Sequence, residues 1–108
     1  MQPQKLDPQI VTLTKAIRQV ESGGNFQATG KSGEYGAYQF TPDTWNNLSQ
    51  KYIGKKIPLQ QATPEQQNQA AYSQIAEWKK AGYNVGQIAS MWNAGQGEPD
   101  AYTGTFSN

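Results

Sequence analysis

The sequence predicts a mainly α (α+β) domain of about four to five helices, with one irregular or weakly β-structured glycine-rich loop after the first helix. Three observations carry that reading. Capping residues recur at Asp7, Thr41, Thr63 and Asn84, and the first three are each followed by proline, which suits the first turn of a helix. Apolar residues return at three- and four-residue spacing after each of them. Between Ser22 and Gln39 that spacing lapses, and five glycines crowd together.

The first helix opens at Asp7-Pro8, places Ile10, Leu13, Ile17 and Val20 on one face, and runs out into Ser22-Gly23-Gly24. Glu21 follows Ile17 by four residues, so its side chain leaves the helix beside that apolar stripe. Partial desolvation and the negative end of the helix dipole both disfavour a carboxylate there, an arrangement suited to a general acid. On this helix alone an ordinary solvated glutamate is the alternative. The loop that follows should fold as turns or a small hairpin with little core of its own.

Thr41-Pro42-Asp43 starts a second helix with Trp45, Leu48 and Tyr52 on its inner face, ending near Gly54; Asp43 suits the positive end of its dipole. Thr63-Pro64-Glu65-Gln66 has the form of a capping box and starts a third helix, expected to reach Gly82 and to bury Ala71, Ile75 and Trp78. Asn84-Val85-Gly86-Gln87 repeats the capping pattern before a fourth helix with Ile88, Met91 and Trp92, which stops at Asn93-Ala94-Gly95. After it Gly, Pro, Asp and Thr dominate and no clear element follows.

With 108 residues the chain reads as one domain over residues 1–108. It contains no Cys and no His, which removes disulfides, Cys/His zinc sites, thiol nucleophiles and Ser-His-Asp constellations. Proton chemistry therefore falls to Asp, Glu, Tyr or Lys, and neither a metal nor an organic cofactor is implied. Net charge is +1, and the densest lysines, Lys55-Lys56 and Lys79-Lys80, read as solvated faces, so no nucleic-acid partner is expected. No apolar run is long enough for a membrane span, and the Met1-Gln2-Pro3-Gln4 start has no signal-peptide pattern. If the protein acts outside the cytoplasm, its export signal has been removed or lies elsewhere. Gly30-Lys31-Ser32 mimics the tail of a phosphate-binding loop, but a helix precedes it where a strand is required.

Three segments stand out together: Glu21-Ser22-Gly23-Gly24-Asn25-Phe26, Gly36-Ala37-Tyr38-Gln39-Phe40 with Thr44-Trp45 soon after, and Met91-Trp92-Asn93-Ala94-Gly95. In order and spacing they resemble the soluble lytic transglycosylase domain, a lysozyme-like fold, and its relatives the goose-type lysozymes and resuscitation-promoting factors. The resemblance runs from about Ile10 to Gly95. It implies a cleft that binds peptidoglycan glycan strands, with Glu21 as catalytic acid and Ser22 as the hydroxyl that helps hold the site. It also implies that Gly36 lets the backbone approach the sugar, that Gln39 binds it, and that Trp92 and Asn93 flank the acid. Trp92 departs from the family's usual Tyr; an indole donates a hydrogen bond but accepts none. Relatives usually continue into a further helix, so this chain is either trimmed or substitutes Tyr102 and Phe106.

Tyr35 and Tyr38 are candidate sugar platforms, because glycine-flanked loop aromatics have little core to join. Trp45 and Trp78 read as core. A second carboxylate, which most glycosidases need, has candidates in Glu34, Asp43 and Asp100, with Glu34 favoured. The family's lytic mechanism needs only one: Glu21 protonates the bond after N-acetylmuramic acid, then takes the proton of that sugar's C6 hydroxyl as a 1,6-anhydro ring closes. The expectation is a monomeric lytic transglycosylase acting in an extracellular or periplasmic cell wall. A muramidase using Glu34, or a glycan-binding module without turnover, are the alternatives.

Overall fold

All four capping residues start helices in the computed structural model, which describes residues 6–95 and their side chains through Trp92. Helix α1 (Pro8–Ser22) begins with Asp7 accepting from the Gln9 amide at 2.9 Å. It ends at Gly23, whose φ of 69° turns the chain so that the Gly23 and Gly24 amides donate to Gln19 and Arg18 carbonyls. Helix α2 (Pro42–Leu48) is short and passes into one π-helical turn, Ser49–Ile53, closed by Gly54. After a 3-10 turn at Leu59–Gln61, helix α3 (Pro64–Lys80) opens with the reciprocal Thr63/Gln66 capping box. Helix α4 (Val85–Gly95) opens with the same exchange between Asn84 and Gln87.

Helix α1 packs on α3, and α3 in turn meets α4 and the π-helical turn. Strand structure among the described residues is limited to isolated bridges, Thr29 with Tyr35 and Tyr35 with Phe40. None of the described helices is long and apolar enough to cross a membrane. A 2.6 Å ion pair from Lys79 to Asp7 ties the end of α3 to the start of α1.

The glycine-rich loop has more core than its composition suggests. Ala37, Tyr38 and Phe40 have no exposed surface, and the Tyr38 and Phe40 rings form one cluster with Trp45 and Trp92. Centroid separations there run from 5.1 Å for Phe40–Trp45 to 5.8 Å for Tyr38–Trp92. Trp45 also donates its indole N–H to the Ile57 carbonyl at 2.7 Å. Trp78 is only half-buried, edge-on to Trp92. Val20 is 83% exposed, against the expectation that it joins the buried stripe. It lies roughly 80° around the helix from Ile10, whereas Thr14 and Ile17 stay close to the line that faces α3.

Candidate active site

The last turn of α1 brings Glu21 to a groove of about 170 Å³ between α1 and α4, walled by Leu13, Ala16, Ile17, Val20, Ala89 and Trp92. Glu21 is half-buried there, and it is the one carboxylate among the described lining residues. Val20 belongs to that wall, which explains an exposed valine at this point of the helix. Two larger depressions, of about 400 and 440 Å³, are also present, the first sharing Leu13 with this groove. No carboxylate lines either of them among the described residues.

Ser22 fastens the acid's helix end to the loop. Its hydroxyl donates to the Ala37 carbonyl at 2.7 Å, with the Arg18 carbonyl at 3.2 Å, and accepts from the Gly24 and Asn25 amides. Arg18, one turn before Glu21, donates to the Tyr38 hydroxyl at 3.0 Å, which in turn donates to Asn68 on α3 at 2.6 Å. Its guanidinium also lies 5.9 Å from the centres of the Phe26 and Tyr38 rings. Burial pushes the Tyr38 phenol above its usual 10.0, against the opposing pull of Arg18.

The remaining sequence candidates divide. Tyr38 is fully buried and offers no ring face to a sugar, so the platform role is corrected to a core role: the loop folds its aromatics inward onto Trp92 and Phe40. Tyr35 lines the 440 Å³ groove with Phe26 and Gln60, away from Glu21. Gln39 has positive φ, 53°, and both hydrogens of its amide go to the Ala28 and Gly36 carbonyls at 3.1 and 2.8 Å. Glu34 accepts from the Ser32 amide at 2.8 Å and crowds onto Gly30, and it does not line the Glu21 groove. Asp43 is an exposed first-turn charge of α2. Asn93 falls in the last turn of α4 with its side chain outside the described residues, as do Asp100, Tyr102 and Phe106 entirely. Among the described residues no group of three potential metal ligands occurs.

A transglycosylase-like domain matches residues 11–82, two thirds of the sequence, with the acid-bearing helix end, the whole glycine-rich loop and α3 inside the match. The chain belongs to the transglycosylase-like domain family. It is also similar to resuscitation-promoting factor RpfC of Mycobacterium tuberculosis (strain ATCC 35801 / TMC 107 / Erdman), 35% identical over 83 residues. That alignment covers 72% of this chain and 56% of the relative, so the chain spans little more than half of that protein. No solved structure matches it significantly.

Within this transglycosylase-like domain, the matched residues end before α4, so the part of the groove wall supplied by Ala89 and Trp92 lies beyond the family match. Trp92 is 4% exposed, and its indole N–H has no hydrogen-bond partner among the described residues. The ring packs on Tyr38, Phe40 and Trp78.

Sequence reading passed over Gln67, which is fully buried on α3. Its side chain binds three backbone groups, those of Phe26, Ala37 and Ala62. A usable signal was present: Gln67 lies on the helical line of Ala71, Ile75 and Trp78, where a polar residue interrupts an otherwise apolar stripe. Gly36 is buried against the Gln67 amide, which occupies the space a side chain would need, so its conformation serves the loop's own packing.

Proposed function

We propose that this domain is a lytic transglycosylase that cleaves the β-1,4 bond after N-acetylmuramic acid in peptidoglycan, as a monomer in an extracellular or periplasmic cell wall. The observation that carries the reading is the placement of Glu21: one carboxyl at a helix end, in a groove whose other described walls are hydrocarbon and one indole. A protonated carboxyl at that place can give its proton to a leaving glycosidic oxygen.

Glu21 donates its proton to that oxygen as the C1–O bond breaks. The carboxylate so formed takes the proton of the C6 hydroxyl while O6 bonds to C1, closing the 1,6-anhydro ring and restoring the acid. Water is neither consumed nor released, and no second carboxylate is needed. A hydrolase would need one. Glu34, the candidate for it, is engaged with the Ser32 amide in its own loop, which favours the single-acid route.

Mass spectrometry of products from purified peptidoglycan tests this. Wild-type protein should release 1,6-anhydro-terminated fragments, and Glu21→Gln should release none while unfolding at the same or a higher temperature. Hydrated reducing ends lost in Glu34→Gln would indicate the muramidase. Glycan binding without any product would indicate a binding module.

A further inference from the structure

Gln67 spends its whole amide on backbone. Its Oε1 accepts from the Ala37 amide at 2.9 Å, and its Nε2 donates to the Phe26 carbonyl at 3.1 Å and the Ala62 carbonyl at 3.0 Å. One neutral group on α3 thus joins the beginning of the glycine-rich loop, its end, and the connector before α3. No charge is buried and both amide hydrogens are used, so the network is satisfied as it stands.

The Ala37 residue is then held from two sides. Gln67 takes its N–H, and Ser22, the residue after Glu21, takes its carbonyl at 2.7 Å. Gly36 makes room for this arrangement: a Cβ there would collide with the Gln67 Oε1 and stand 2.8 Å from its Cδ. An apolar residue would fill the same stripe position on α3 without ordering the loop, so core packing alone does not call for a glutamine. We propose that Gln67 is a positioning residue for the Glu21 reaction: through Ala37 and Ser22 it fixes the last turn of α1, and with it the direction of the acid. This rests on Glu21 being the proton donor. Proton transfer to a bound glycosidic oxygen is sensitive to misplacement on the ångström scale, whereas glycan binding over an extended surface is less so.

Steady-state kinetics on purified soluble glycan strands test the proposal, with rates expressed per folded molecule from circular dichroism. Gln67→Met keeps the length and removes all three hydrogen bonds. Its kcat should fall by about 10-fold or more with KM changed less than about 2-fold. Gln67→Glu keeps the acceptor for Ala37, and in its protonated form regains one donor. Its kcat relative to wild type at the same pH should therefore rise as pH is lowered. Where neither variant folds, Ser22→Ala frees the other side of Ala37 and should show the same kcat-selective loss. Unchanged kcat per folded molecule, or a Gln67→Glu loss independent of pH, overturns the proposal while leaving Glu21 as acid. A wild-type protein that yields no product instead fails the enzymatic reading, and this inference with it.

Discussion

Gly36→Ala is the most demanding test of how the loop is built. Gly36 sits at φ 93°, where an L side chain adds roughly 1 to 2 kcal/mol of backbone strain. The new methyl would also enter the space of the Gln67 amide, with Cδ at 2.8 Å and Nε2 at 3.2 Å. Because that amide is buried and bonded to three backbone groups, it moves only by giving up those hydrogen bonds, about 1 kcal/mol net for each. The sum is roughly 4 to 5 kcal/mol, comparable with the entire stability of a small domain, about 5 kcal/mol or somewhat more. Equilibrium unfolding in urea should therefore place Gly36→Ala near the edge of folding at 25 °C. The double variant Gly36→Ala/Gln67→Ala removes the collision and retains the backbone strain together with the loss of the three Gln67 hydrogen bonds. Because the two single losses both count those hydrogen bonds, it should be more stable than their sum by about 3 kcal/mol. A Gly36→Ala loss under about 1 kcal/mol, or strict additivity in the cycle, would refute competition for that space.

Acid should destabilise the fold through two carboxylates. Lys79 and the Gln9 amide hold Asp7 below its usual 3.8, and Lys51 and the Tyr52 hydroxyl hold Glu77 below its usual 4.5. Both therefore contribute stability above those values and lose it as pH falls further; melting temperature measured between pH 7 and pH 3 should drop most steeply below about 4.5, and less steeply in Asp7→Asn/Glu77→Gln. At the alkaline end burial and Glu77 push Tyr52 from 10.0 up to about 12, so its contribution is present below pH 10 and lost on passing about 12, which Tyr52→Phe should abolish in the same melts. Trp92→Phe keeps a ring against Tyr38 and Phe40 and removes a buried N–H that has no partner among the described residues. Its cost in urea unfolding should stay under about 1.5 kcal/mol, well below the roughly 3 to 5 of an alanine replacement, and a loss near 3 would show that the N–H is satisfied in solution.

The sequence by itself determined where each helix begins, because capping is local. An Asp, Thr or Asn side chain reaches an amide two or three residues ahead whatever the rest of the chain does. It also placed Glu21 at the end of the first helix, excluded Cys and His chemistry, and carried the motifs of the family. Burial was decided elsewhere. Tyr35 and Tyr38 are both loop tyrosines within two residues of Gly36, yet Tyr38 lies in the core and Tyr35 lines a groove. Val20 fits the helical period of its neighbours but extends past the line that meets α3. Gln67 bonds partners 30 and 41 residues away. Periodicity fixes which residues share a face, but only the packing of α1, α3, α4 and the folded loop fixes which faces meet, and hence which polar atoms must find partners inside.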